Sequence, residues 1–151
     1  MDAKKALNII AGQCSKKEYC SFDVMTKLER WELAEKDIAA IMEFLVKNRF
    51  LDDLRFAEAY ARDKHRFNRW GKLKIGQMLR QKHIADTIID EALATLPEEQ
   101  SDTICLSLLQ QKNKSLKEDD PYKRKAKLFR FALSRGFDYE TISRCVRQLL
   151  G

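Results

Sequence analysis

The side chains with the most potential for chemistry are four cysteines and two histidines, a set able in principle to hold zinc. A zinc site needs ligands at short, regular spacings. No CxxC pair occurs here, and both histidines stand apart from the cysteines in sequence. The six side chains are Cys14, Cys20, Cys105, Cys145, His65 and His83. We therefore expect no metal site, reduced thiols and structural roles for both histidines.

Two adjacent carboxylates, Asp52 and Asp53, are the other candidates, for catalysis or for magnesium binding. No further carboxylate cluster stands close to them in sequence. Helix capping explains them better, because carboxylates stabilise the free N–H groups of a first helical turn. The chain also lacks a nucleophile motif and a glycine-rich phosphate loop. We therefore expect no enzyme, no catalytic residue and no cofactor.

Positive charge is the most prominent potential for binding. The net charge is +6 at pH 7, and two segments concentrate it. Residues 64–85 carry seven Lys or Arg residues and residues 121–137 carry six, with no carboxylate in either segment. Such segments are suited to neutralising phosphates or to meeting an acidic protein groove.

Helical geometry arranges part of this charge in two stripes. At 100° per residue, Arg55, Arg62, Arg66 and Arg69 share one helix face, and a second stripe lies within residues 123–130. The alternative is that both stripes are solvated helix faces. The candidate contacts with a partner or with DNA are Arg55, Arg62, Arg66, Arg69, Lys72, Lys74, Arg80, Lys82, Lys123, Arg124, Lys127 and Arg130.

Aromatic residues accompany the first stripe. Phe56, Tyr60 and Phe67 fall on the opposite helix face, so we expect them to pack inward. Phe67 and Trp70 also lie among basic residues, as base-stacking side chains do. Anchoring of a helix–helix corner is the alternative for this pair.

The elements that carry these residues follow an apolar pattern that occurs three times. Its first occurrence is Val24, Leu28, Leu33, Ile38, Ile41, Met42 and Leu45. Adding 51 to each number reaches seven further apolar residues, and adding another 53 reaches a third set of seven. With few glycines and prolines and no alternating β-branched run, the pattern predicts an all-α fold of three tandem three-helix repeats in an elongated, curved array. We assign the repeats to residues 1–50, 51–96 and 97–151.

Local signals place the helix boundaries. The run Ser15–Glu18 matches a capping box and predicts a helix that continues to about Trp31. Asp120 before Pro121, and Asp138 after Gly136, predict the starts of the last two helices. The polar residues 112–120 predict a loop.

Bulk features bear on compartment and assembly. The N-terminus does not resemble a signal peptide, and no stretch approaches the roughly 18 apolar residues of a membrane helix. We therefore expect a cytoplasmic protein without a membrane partner. No coiled-coil heptad argues for a dimer, so we expect a monomer.

Residues 50–62, with the sequence FLDDLRFAEAYAR, resemble the signature of the RecX family, regulators of the RecA recombinase. That signature has an aromatic residue, Leu-Asp-Asp, one variable residue and Arg-Phe-Ala. The resemblance covers about 45 residues, and its further matches are Gly71, Ile75, Leu79–Lys82, Ile84, Ile89 and Glu91–Leu93. The family usually has glycine where this chain has His83, which predicts a left-handed backbone conformation at that residue.

The resemblance implies a function as well as a fold. It implies three repeats that lie in the groove of the RecA–DNA filament and inhibit filament growth, ATPase, strand exchange and coprotease activity, and thereby recombination, DNA repair and the SOS response. The filament is then the partner, and the basic stripes add at most weak contacts with single- or double-stranded DNA. Arg55 and Arg62 fall in the signature, although Arg55 is equally suited to holding neighbouring helices together. The alternatives are a general nucleic-acid-binding, helix-turn-helix-like module and a protein scaffold whose charge serves solubility.

Overall fold

The fold is all-helical. A computed structural model describes residues 1–151, which form nine α-helices and no strand. The helices are α1 (Ala3–Lys16), α2 (Ser21–Arg30), α3 (Glu35–Lys47), α4 (Asp53–Arg66), α5 (Lys72–Gln81), α6 (Asp86–Ala94), α7 (Glu98–Ser115), α8 (Pro121–Ser134) and α9 (Tyr139–Leu150). Each set of three consecutive helices surrounds its own hydrophobic cluster. We call α1–α3, α4–α6 and α7–α9 repeats 1, 2 and 3.

The threefold apolar pattern forms the cores of these repeats. All of its positions are buried or half-buried, from Val24 in repeat 1 to Leu149 in repeat 3. The prediction of an all-α array of three-helix repeats is confirmed. The accessible area is 9686 Å², whereas a compact monomer of this mass exposes about 8000 Å². The larger area is that of an elongated body with three small cores.

Several helix starts follow the predicted caps. The carboxylate of Asp52 accepts the N–H of Arg55 at 3.1 Å, and Asp138 accepts that of Thr141 at 2.8 Å. Asp120 caps α8, whose first residue is Pro121. Asp53 acts over a longer range, because its Oδ1 accepts the N–H of Ser21 at 2.8 Å. It therefore caps α2 in the neighbouring repeat.

The predicted capping box at Ser15 is wrong. Ser15 lies inside α1, where its hydroxyl donates to the carbonyl of Ala11 at 2.8 Å. α1 ends at Lys16, two residues after its last apolar residue, Cys14, which is buried in the first core. α2 instead begins at Ser21, whose N–H is satisfied by a residue 32 positions away. A long-range cap has replaced the local one.

Two other boundary predictions also need correction. α7 extends to Ser115, so only 116–120 remain of the loop predicted over 112–120. Arg124 stabilises this extension by donating to the carbonyls of Asn113 and Leu116 at the helix end. Phe67, predicted to pack inward, has 73% of its surface exposed. Phe67 keeps a helical backbone conformation and its N–H donates to the carbonyl of Asp63, but it lies at the end of α4, outside the hydrophobic cluster of repeat 2.

Repeats 2 and 3 meet through their backbones, in a contact that we call the second joint. The N–H of Gly71 donates to the carbonyl of Arg135 at 2.7 Å, and that of Leu73 donates to the carbonyl of Gly136 at 3.0 Å. The C-terminus of α8 thus supplies acceptors to the first turn of α5, whose donors would otherwise be free. Neither glycine has room for a side chain, since a Cβ on Gly71 would stand 2.3 Å from the Gly136 oxygen.

A buried histidine reinforces the second joint. His65 is fully buried, its Nδ1 lies 2.8 Å from the carbonyl oxygen of Trp70, and its Nε2 lies 3.1 Å from Oγ of Ser101 in repeat 3. Because a carbonyl only accepts, Nδ1 carries the proton and Nε2 accepts from the serine hydroxyl. The structural role expected for His65 is therefore the connection of two repeats.

Repeats 1 and 2 meet through side chains in the equivalent place, which we call the first joint. Nζ of Lys82 lies 3.0 Å from Oδ2 of Asp23, and the ring of His83 stacks on Phe22 with 4.0 Å between centroids. His83 has φ 59°, which confirms its predicted left-handed conformation. Glu32 and Gly136, the equivalent residues of the other repeats, also have positive φ. A helix end of the same shape therefore recurs in every repeat.

Substitution of Gly136 by alanine should loosen the second joint. The new Cβ would lie 2.4 Å from Cβ of Lys74, and φ of 93° is unfavourable for alanine. We expect a loss of about 2–4 kcal/mol in the free energy of unfolding, measured by urea denaturation. Gly12→Ala is the matched control, because nothing lies within 4 Å of the added methyl; in a helix it should stabilise by about 0.5–1 kcal/mol. Equal stability of the two variants would contradict the tight contact.

The second joint should become less stable as the pH is lowered. Burial lowers the pKa of His65 below its ordinary value, with a smaller contribution from the charge of Lys72. The unfolded chain therefore binds a proton at higher pH than the folded one, so stability declines as pH drops through about 6.5 toward the folded pKa. Melting curves between about pH 7.5 and 5.5 should show this slope in the wild type and in His83→Gln, but not in His65→Gln. Parallel curves for the wild type and His65→Gln would refute it.

Candidate partner-binding surface

Arg55, the first residue of the predicted arginine stripe, holds the first joint. Its Nε donates to Oε2 of Glu18 at 2.5 Å, and its Nη2 donates to the carbonyl of Arg49 at 3.0 Å. The hydrogen bond with Glu18 raises the pKa of Arg55. Its guanidinium is thus directed at repeat 1, which leaves it little capacity to contact a partner.

Four other candidates are also engaged inside the array. Lys72 lies 3.7 Å from Glu98, and Lys82 pairs with Asp23, so both connect neighbouring repeats. Arg69, with φ 57°, donates to Oε1 of Gln111 in α7 at 2.7 Å. Arg80 pairs with Asp86 inside repeat 2, at 3.1 Å. The remainder of the first stripe is Arg62 and Arg66.

The candidates of repeat 3 divide in the same way. Arg124 donates five hydrogen bonds, to Asn113, Leu116 and Glu118, and closes the α7–α8 loop. Lys127 pairs with Glu118 at 2.7 Å, and this ion pair lowers the pKa of the carboxyl group. Lys123 and Arg130 are exposed and form no ion pair.

Seven of the twelve candidate residues are thus paired, Lys74 is half-buried with its Nζ 4.6 Å from the centroid of the Trp70 ring, and four stand free on the surface. They are Arg62, Arg66, Lys123 and Arg130, all exposed and without an ion-pair partner. A cation without a partner is available to an incoming anion at little cost, since no existing pair must be broken. These residues, two in repeat 2 and two in repeat 3, are the predicted contacts that remain available for binding. We call them the free cations.

An aromatic cluster beside the first stripe escaped the sequence reasoning in part. Nζ of Lys64 lies 5.5 Å from the centroid of Tyr60 and 5.1 Å from that of Trp70, and Nζ of Lys74 lies 4.6 Å from that of Trp70. These are cation–π distances. Trp70 is a predicted corner or stacking residue, whereas Lys64 is not among the predicted contacts with a partner or with DNA. Its position four residues after Tyr60 on one helix was the available signal.

The side chains considered for chemistry, the cysteines above all, lie in surroundings that favour structural roles. All four cysteines are free and buried, and burial raises the pKa of the Cys20 thiol to about 11. A thiol with so high a pKa is a poor nucleophile. No three His, Cys, Asp or Glu side chains converge where they would hold a metal ion. None of the nine helices combines the length and the apolar character that crossing a bilayer requires.

Comparison with known proteins identifies this arrangement of helices. A family model described as the second three-helix domain of RecX matches residues 52–93, and one described as the third three-helix domain matches residues 98–146. "Regulatory protein RecX" of Chlorobium phaeobacteroides is 36% identical over 148 residues, which are 98% of this chain and 95% of that protein. The same-named protein of Prosthecochloris aestuarii is 35% identical and is covered to 96%. The chain belongs to the RecX family.

Solved RecX structures share the fold. The crystal structure of RecX from Lactobacillus salivarius has a TM-score of 0.90 at 22% identity, covering 97% of this chain and 96% of that chain. A second crystal structure, of a regulatory protein RecX, has a TM-score of 0.86 at 23% identity, with 93% of this chain and 70% of that one covered. At this level of identity the comparison concerns the fold alone.

In this chain, the polar residues of the RecX signature mainly serve the first joint. Asp52 caps its own helix, Asp53 caps α2 of the preceding repeat, and Arg55 binds Glu18 in that repeat. Their spacing places three polar side chains on the first turn of α4, where repeat 1 docks. The matching of these residues therefore identifies how two repeats are joined, whereas the free cations lie further along the chain.

Substitutions at Arg55 and Arg62 should separate these two roles. Arg55→Ala leaves the half-buried Glu18 without its partner, so we expect a loss of about 1–2 kcal/mol in the free energy of unfolding. Arg62→Ala removes an exposed side chain without a partner and should change stability by less than about 0.5 kcal/mol. Urea denaturation compares them under one condition. A stable Arg55→Ala variant would show that the joint does not depend on this ion pair.

Proposed function

We propose that this protein binds the RecA–DNA filament and inhibits its growth and its ATPase, strand-exchange and coprotease activities. Membership of a family of regulatory proteins supports the proposal. The observation that carries it is the set of free cations spread over two successive repeats of an elongated array. Such a regulator acts in the cytoplasm, where the nucleoid lies.

The array is suited to a periodic partner. A filament repeats the same surface along its axis, and the array places cations of two successive repeats at a fixed separation. Several weak contacts then act together, because the joints hold the repeats in a fixed relation and the second contact forms at high effective concentration. The bound protein would occupy the groove and oppose addition of protomers. The array would inhibit by binding alone, without a chemical step of its own.

A direct contact with nucleic acid is the second candidate function. The cluster of Lys64, Trp70 and Lys74 favours it, because aromatic faces flanked by lysines are found where single strands bind. A general helix-turn-helix-like module would bind naked duplex with sequence preference. A filament regulator would bind naked DNA weakly and with a steep salt dependence. Anisotropy of a labelled duplex and a labelled single strand at two salt concentrations distinguishes them.

The proposal is tested by titrating the single-strand-dependent ATPase of a RecA protein with the intact chain. Inhibition well below one equivalent per RecA protomer is expected, since one array covers several protomers or closes a growing end. Addition before and after filament assembly separates blocked growth from occupation of existing filaments. Unchanged ATPase at stoichiometric excess would overturn the proposal.

Reversal of charge at two free cations should weaken filament binding. In the double variant Arg62→Glu and Arg66→Glu, attraction to an acidic or phosphate surface becomes repulsion, so we expect roughly a tenfold or greater loss of affinity. Co-sedimentation with filaments measures it. The matched control is Lys36→Glu with Lys47→Glu, which changes the same net charge at exposed positions of α3. If both double variants bind alike, the stripe is a solvated face and does not recognise the filament.

A further inference from the structure

A groove between α8 and α9 of repeat 3 belongs to neither joint and contains none of the free cations. It consists of two adjoining cavities of about 400 and 300 Å³, which share Lys125, Phe129 and Tyr139. The larger cavity continues along α9 past Val146 and Arg147. Its volume is that of a site for a few amino-acid side chains, not for a water molecule.

Repeat 3 departs from repeat 2 at the position that forms the floor of the groove. Phe129 is the equivalent of Gly76, 53 residues earlier. Gly76 is buried, and a Cβ there would already touch Leu93 at 3.4 Å, so α5 and α6 pack closely. A phenylalanine at that place stands between α8 and α9 and forms the floor of the groove, with Tyr139 beside it at 5.2 Å between ring centroids.

The walls combine exposed apolar surface with positive charge. Tyr122 and Tyr139 expose 83% and 68% of their surface, and Leu150 exposes 42%. Large apolar side chains in such exposed positions are characteristic of interaction sites. Lys125 and Arg147 line the same groove, neither forms an ion pair, and no Asp or Glu side chain is among the lining residues.

The corresponding face of repeat 2 has the opposite character. Tyr139 replaces Asp86 of that repeat, and Ser143 replaces Asp90. Folding of a three-helix unit therefore does not require an aromatic, basic groove here, because repeat 2 folds with carboxylates at the same places. Repeat 2 has neither the aromatic floor nor the tyrosine wall of this groove.

We propose that this groove binds a short acidic segment of a partner protein that carries an aromatic or large aliphatic residue. The apolar side chain would lie over Phe129 between Tyr122 and Tyr139. Carboxylates on either side of it would meet Lys125 and Arg147. The net charge of +6 on each copy disfavours a second copy of the chain as the occupant, and the apolar walls disfavour bare phosphate.

The test uses the intact, isotope-labelled chain and a synthetic Glu- and Asp-rich peptide with one Phe and one Leu. Two control peptides replace its carboxylates by amides or its Phe and Leu by Ser. Amide chemical-shift changes are expected in α8 and α9 around the groove, with affinity roughly tenfold weaker for each control peptide. The double variant Lys125→Glu and Arg147→Glu should lose about the same, while Arg62→Glu with Arg66→Glu should bind as the wild type does.

Several outcomes would overturn the proposal. They are equal binding of the amide peptide, shift changes outside α8 and α9, and unchanged affinity of the Lys125→Glu and Arg147→Glu variant. Displacement of the peptide by oligothymidylate at equal concentration would assign the groove to nucleic acid instead. Shift changes at the groove on raising the protein concentration alone would assign it to a second copy. Thermal melts of both double variants verify that they are folded.

Discussion

The contact between the end of α8 and the start of α5 is the constraint on which the array depends. Backbone donors of one helix meet backbone acceptors of another at 2.7 and 3.0 Å, so the direction of repeat 3 relative to repeat 2 is fixed without side chains. Glycine is required on both sides of this contact. The burial of His65 and its bond to Ser101 follow from the same close approach. So does the spacing between the basic surfaces of the two repeats.

Charge in this family member has two separate tasks. Most of the candidate basic residues, such as Arg55 and Lys82, are satisfied by carboxylates, amides or carbonyls within the array. Only residues without such partners, such as Arg62 and Arg130, leave the positive net charge available at the surface. A basic stripe on a helical projection does not distinguish these tasks. Net positive charge favours an acidic partner, but it is the pattern of internal pairing that selects which residues can meet one.

Much of the fold was predictable from periodicity, and much of the site was not. Val24 and its equivalents lie in cores because a repeated apolar pattern needs a repeated core, and Asp52, Asp120 and Asp138 cap helices through local geometry. The capping box predicted at Ser15 was wrong because the first N–H group of the next helix is satisfied by Asp53, far away in sequence. The prediction for Phe67 was wrong because this residue lies at the end of its helix, outside the core of repeat 2. Pairings such as Lys82 with Asp23, 59 residues apart, have no local signal.

The first joint of this chain depends on side chains, through the stacking of Phe22 on His83 and two ion pairs. Side chains can be exchanged singly, whereas a backbone contact between two glycines tolerates almost no substitution. The direction of repeat 1 can therefore be altered by single substitutions of side chains, whereas that of repeat 3 cannot change without a change in the backbone contact.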